Sequence, residues 1–191
     1  MHEFVEQLAK DERLRSLTLQ NVKVVPFLGT PGAIQSDSWN TTTYSNTLAT
    51  KVGNLLHCAS YNLSAPMYVE GTKEKELIES IDEIAKVLHM AETADIALIG
   101  IGSMQDDSSI IKAEIRTKEE YKELVRKGGV GEIVGRIYDK NGQTVDEDLK
   151  RKMVGISLDK IAKIPVRVGM SYGKDKIEAI KKEQAEGKLV A

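Results

Sequence analysis

The residues best suited to chemistry in this chain are glycines next to small polar groups. Gly29-Thr30-Pro31-Gly32, Gly100-Ile101-Gly102-Ser103 and Gly169-Met170-Ser171-Tyr172-Gly173 each follow an apolar run directly. Glycine lets backbone amides approach a ligand, and open parallel sheets bind ligands at the carboxyl ends of their strands. Any one loop is also what an ordinary turn requires, so their shared position after strands is what points to a joint site. Lys174 and Lys176 open the last helical segment, where a cation opposes the helix dipole. They read either as solvated lysines or as a clamp on a phosphate or carboxylate at that terminus. Asp175 and Glu178 partly offset the anomaly.

Glu132 lies between glycines in the apolar run Gly131-Glu132-Ile133-Val134-Gly135. An acid on a buried strand needs a partner, either a lysine or the hydroxyls of a bound sugar. Asp139, before Asn141-Gly142, reads more simply as a turn residue. His2, His57, His89 and Cys58 form no metal-ligand spacing. Adjacent strand residues point to opposite faces, so His57 and Cys58 are not a catalytic pair. There is no Gly-x-Ser-x-Gly elbow, no Gly-x-x-x-x-Gly-Lys phosphate loop and no third glycine after Gly102 to complete a dinucleotide fingerprint.

The elements that must position these residues alternate. Apolar spacing predicts helices over 3–16, 44–56, 73–90, 117–127, 146–153, 157–162 and 175–186. Leu77, Ile78, Ile81, Ile84, Ala85 and Leu88 form one face of the third. Thr117 and Glu120 form a capping box. Strands are predicted over 22–28, 95–99, 130–138 and 164–168, with a short extended stretch over 61–69 and a loop over 34–43. Gly187 to Ala191 reads as the start of a further strand. The unalternated runs predict a parallel sheet covered on both faces, with 22–28, 95–99 and 164–168 adjacent at its centre.

The 191 residues, 41% hydrophobic and 29% charged, suffice for one α/β core. Lysine and arginine number 27 against 29 acids, a net charge of −2, which argues against a general basic surface for DNA. One cysteine rules out an intramolecular disulfide framework and fits a reducing compartment. No signal core is present, and the longest uncharged run, Val52 to Val69, is interrupted by Asn54, His57, Ser60, Asn62, Ser64 and Pro66, so a cytoplasmic protein without a membrane role is expected.

Several motifs in order resemble the SorC family of sugar-responsive transcriptional regulators. They are Val24-Val25-Pro26 with Gly29, Asn46-Thr47-Leu48-Ala49, Leu63-Ser64-Ala65-Pro66, and the run from Ala94 to Ser103. Gly129 to Asp139, Ile164 to Gly169 and Gly173 to Ile180 complete the set. The resemblance runs from about residue 20 to the end. It implies a Rossmann-like, mostly parallel sheet with helices on both faces, similar to sugar-phosphate deaminases, ribose-5-phosphate isomerases and CoA transferases. It also implies a single effector-binding domain over 1–191, incomplete at both ends, that binds a sugar or sugar phosphate and uses no cofactor or metal. Operator DNA would be bound by a helix-turn-helix domain outside this chain, in a homo-oligomer. The resemblance places Gly29, Thr30, Asn46, Gly100, Gly102, Ser103, Glu132, Asp139, Lys174 and Lys176 at the ligand, with Lys176 on a phosphate. Phe27-Leu28 stand where the bisphosphate-responsive branch carries an arginine, which argues against a bisphosphate. Tyr172 replaces the first of two glycines before the lysine.

The competing expectation is an enzyme of the isomerase/deaminase group. Those deaminases carry a histidine shortly after the equivalent glycine loop, for general-base and ring-opening chemistry. Here Ser103 to Ser109 contains none, so no catalysis is expected.

Overall fold

The computed structural model describes residues 1–14, 17–31, 44–104, 108–112 and 115–171. The chain opens with α1 (His2–Leu8), which buries Val5, followed by a 3-10 turn over Glu12–Leu14. The predicted helix over 3–16 stops early. The Asp11 carboxylate accepts the Arg13 backbone N–H at 3.0 Å, a local bond that competes with helix continuation.

β1 (Lys23–Val24) pairs in parallel with β2 (Ala59–Ser60), and α2 (Ser45–Leu55) lies between them in sequence. The predicted strand over 22–28 is therefore mostly irregular. Beyond Pro26, which has no N–H, the chain makes only isolated bridges, Leu28 to Gly155 and Thr30 to Pro66. Among the described residues it does not pair with 95–99. Lack of alternation indicated burial but could not name the neighbour.

The predicted helix over 73–90 is two helices, α3 (Thr72–Ser80) and α4 (Asp82–Glu92). Ile81 is extended between them, at φ −64° and ψ 123°. The Ser80 hydroxyl donates to the Leu77 carbonyl at 2.7 Å, and Asp82 and Glu83 favour a fresh N-terminus. The break leaves Leu77 and Ile81 exposed.

β3 (Ile96–Gly102) is the central strand. After it come α5 (Ser109–Lys112), α6 (Lys118–Arg126), β4 (Gly129–Ile133), β5 (Arg136–Asp139), α7 (Glu147–Lys152), α8 (Leu158–Ile161) and β6 (Val166–Met170). The sheet order is β5-β4-β3-β6. β3 and β6 are parallel and adjacent, as predicted for 95–99 and 164–168. β3–β4 and β4–β5 are antiparallel, so the α/β sheet is mixed rather than mostly parallel.

The cause is a turn inside the predicted strand over 130–138. Val134 and Gly135 have φ of 49° and 68°, the two-residue geometry that closes a hairpin. A β-branched residue seldom adopts positive φ, so Val134 gave no local turn signal.

One core packs Ile84, Val87, Leu88 and Ala91 of α4 against Ala97, Ile99 and Ile101 of β3. A second joins Tyr121 and Leu124 of α6, Leu149 of α7 and Ile137 of β5 to Leu28, Met67 and Met153. Thr117 and Glu120 form the predicted capping box. Arg116 holds Asp146 through Nε at 2.8 Å and Nη2 at 3.1 Å, and Asp146 caps α7 by accepting the Leu149 N–H. That ion pair raises the Arg116 pKa and ties the approach to α6 to the start of α7.

Candidate functional site at the ends of the parallel strands

β3 and β6 finish at the same edge of the sheet, with Gly100 opposite Met170. Ser171 follows β6 and its hydroxyl donates to the Ile101 carbonyl at 3.2 Å. Half-buried Ser103 follows Gly102 directly. On the other side of β3, Gly102 sits opposite Glu132. A Cβ at Gly102 would lie 3.2 Å from the Glu132 Cβ, so glycine here lets the acid lie close against the strand. The structure thus brings Gly100, Gly102, Ser103 and Glu132 to one edge and adds Ser171.

Glu132 is buried, and its Oε2 accepts from the Ser108 hydroxyl at 2.7 Å. The Ser108 oxygen in turn accepts the Ile110 N–H at 3.1 Å, capping α5. A serine thus fills a role for which the sequence suggested a lysine or a ligand. The only local hint was a serine before a short helical run.

Gly29, Thr30 and Asn46 form a second group. A Cβ on Gly29 would fall 2.5 Å from the Pro66 carbonyl oxygen and 2.6 Å from that of Ala65, so close backbone approach alone demands this glycine. The Asn46 amide nitrogen donates to Thr30 Oγ1 at 2.9 Å and to the Leu63 carbonyl at 3.1 Å. Its oxygen accepts the Leu63 N–H at 2.9 Å. Both amide donors are used, which leaves the oxygen's second lone pair for any further partner. Among the described residues no hydrogen bond links this group to Glu132.

Asp139 lies at the far end of the hairpin, opposite Gly129. Its Oδ1 accepts the N–H groups of Asn141 at 2.8 Å and Gln143 at 2.9 Å. This is the turn role that its position suggested. Lys174, Lys176, the predicted helix over 175–186, the strand start at 187–191 and the loop over 34–43 lie outside the described residues. Among the described residues there is no cluster of histidine, cysteine and acids able to hold a metal. Nor is any described helix long and apolar enough to cross a membrane.

A mixed α/β sheet that gathers glycines, serines and one buried acid at its strand ends is the framework of a small-ligand-binding domain. The model of a sugar-binding domain family matches residues 5–188, and the chain belongs to that family. It is 32% identical over 135 residues to the transcriptional regulator LsrR of Escherichia coli O9:H4, covering 69% of this chain and 43% of that protein. With LsrR of Klebsiella pneumoniae it shares 30% over 126 residues, or 64% of this chain and 39% of that one. The chain thus spans about two fifths of the length of these relatives. Its fold is similar to that of the full-length sorbitol operon regulator SorC from Klebsiella pneumoniae. The TM-score there is 0.81 at 24% identity, covering 97% of this chain and 58% of SorC. A DeoR family transcriptional regulator from Listeria monocytogenes gives 0.77 at 23%, covering 98% and 78%.

Proposed function

We propose that this domain is the effector sensor of a sugar-responsive transcriptional regulator. Its ligand is a monophosphorylated sugar or a related anion, bound at the edge formed by Gly100, Gly102, Ser103 and Glu132. The observation that carries this reading is the buried Glu132 carboxylate beside Gly102, an acceptor for hydroxyls at the end of β3. Gly29, Thr30 and Asn46 support the neighbouring wall, Asp139 stands at the hairpin end, and Lys174 and Lys176 supply charge for a phosphate. The ligand is bound and not turned over, because Ser103 to Ser109 offers no histidine as general base. Operator contact belongs to a helix-turn-helix domain of the full-length, cytoplasmic, homo-oligomeric regulator. The likeness to transcriptional regulators named LsrR supports the regulatory role.

The test is thermal unfolding against a panel of sugars and their monophosphates. A ligand at 100 times its Kd stabilises the fold by about 2.7 kcal/mol. Lys176→Ala should weaken a sugar phosphate far more than its neutral parent, since only the phosphate uses the charge. Equal losses for both remove Lys176 from the phosphate role. If a chain extended upstream also shows no shift with any member of the panel, the sensing reading fails.

A further inference from the structure

Arg136 on β5 is 2% exposed, and among the described residues no carboxylate lies within ion-pair distance of its guanidinium. Nη1 donates to the Val134 carbonyl at 3.0 Å and Nη2 to that of Gly155 at 3.1 Å. Nε is buried with no hydrogen-bond partner among the described residues. Burial lowers its pKa to about 10, so it remains a cation at neutral pH. Burying a charge without a counter-charge is costly, and so is a buried donor left unsatisfied.

Gly155, which accepts from Arg136, lines a recess of about 110 Å³ together with Lys75, Glu79, Glu92, Ser157 and Lys160. Lys160 is paired closely with Glu92. Lys75 Nζ lies 3.8 Å from Glu79, beyond hydrogen-bond distance, and burial lowers its pKa. Glu79 is also the group that partly offsets the burial of Arg136. Glu79 is thus paired with Lys75 and reaches Arg136 only from beyond ion-pair distance. Lys75 and Lys160 line the recess with Glu79 and Glu92, and Arg136, behind Gly155, adds a third cation, which leaves the cluster one positive charge over. The recess is large enough for a few waters or for one tetrahedral ion.

We propose that this recess is a binding site for a small monoanionic oxyanion, held by Lys75, Lys160 and the Ser157 hydroxyl, with the Arg136 charge behind Gly155. The anion supplies the missing counter-charge, and its oxygens accept charge-assisted hydrogen bonds from the two lysines. The site shares no residue with the predicted effector set. It adjoins that set through the Leu28–Gly155 bridge, which precedes the Gly29-Thr30 loop.

The test is an amide NMR titration of the whole chain with inorganic phosphate, against sodium chloride at equal ionic strength. The Lys75, Gly155, Ser157 and Lys160 amides should move saturably with phosphate only. Lys75→Gln should weaken binding by about tenfold or more, the loss of one charge-assisted hydrogen bond. Lys160→Gln, at a more exposed position, should weaken it in the same direction and serves if Lys75→Gln does not fold. Lys122→Gln, on α6, should change nothing. Identical shifts with chloride, shifts confined to Gly29, Gly102 or Ser103, or an affinity unchanged in both recess variants would each overturn the proposal.

Discussion

The Ser108 hydroxyl donates to Glu132 Oε2 at 2.7 Å, and both side chains are buried. The bond spans 24 residues and joins the start of α5 to the middle of a hairpin strand. It also orients the Glu132 carboxylate beside Gly102. A ligand hydroxyl that reaches Glu132 must either share this acceptor or replace Ser108 on it. In the second case the Ser108 hydroxyl, which also accepts the Ile110 N–H, must find a new acceptor, which couples the candidate site to the start of α5.

Ser108→Ala should therefore destabilise the fold by about 1–3 kcal/mol, because the buried carboxylate loses one donor and the Ile110 N–H loses its acceptor. Urea unfolding measures this directly. Ser108→Thr, which keeps the hydroxyl, should recover most of the loss. An alanine variant as stable as the parent would show that the contact contributes nothing net.

Asn46 makes a different prediction, because its amide is used at both ends. Asn46→Asp keeps the shape but places a carboxylate oxygen against the Leu63 carbonyl and Thr30 Oγ1, where the amide nitrogen donates. Asn46→Asp should cost more than Asn46→Ala at neutral pH, since it adds repulsion to the lost bonds. The relative order of the two urea midpoints decides the point, and the reverse order removes the clamp.

Acid should weaken the α6–α7 region. The Thr117 backbone N–H donates to the Glu120 carboxylate and holds its pKa below the ordinary 4.5. Lys152 and then Arg116 hold Asp148 below the ordinary 3.8. A carboxyl whose pKa is depressed by folding contributes its stability above the unfolded value, and loses it as pH falls through the folded one. The fold should therefore be insensitive to these groups at neutral pH and lose stability below about pH 4.5. Both groups are largely solvated, so each effect is small. Glu120→Gln should flatten part of that slope in pH-dependent urea unfolding, while Thr117→Ala should cost about 1 kcal/mol as a lost cap.

Local signals in the sequence were dependable where the cause is local. The unalternated run in β3, the capping box of Thr117 and Glu120 and the turn at Asp139 all follow from neighbouring residues. Partner choice across the chain was not legible. Nothing near Arg116 announces Asp146, 30 residues away, and nothing near Asn46 announces Leu63. The Val134-Gly135 hairpin was hidden because valine is a poor residue for positive φ, and tertiary packing overrode that preference. The break at Ile81 was hidden for the opposite reason, since the apolar spacing continues across it without a glycine or proline. As for the candidate site, its strand-end glycines and Glu132 were visible, whereas Ser108 was not.

The glycines separate structural need from room for a ligand. A methyl group on Gly29 meets two backbone carbonyl oxygens at 2.5 and 2.6 Å, and backbone cannot swing aside as a side chain can. Gly29→Ala should cost about 1–3 kcal/mol of stability, the range for overpacking, whether or not a ligand is present. At Gly100 the nearest atom to such a methyl among the described residues is the Met1 Cβ at 3.7 Å, an ordinary contact. Its φ is not positive, so Gly100→Ala should leave stability within about 1 kcal/mol of the parent. If the loop after β3 approaches the effector through its backbone, the same Gly100→Ala change should still reduce the ligand-induced rise in Tm. Comparing urea midpoints with ligand-induced Tm shifts for the two variants distinguishes the roles. A Gly100→Ala variant that keeps both full stability and full ligand response would move the effector away from this loop.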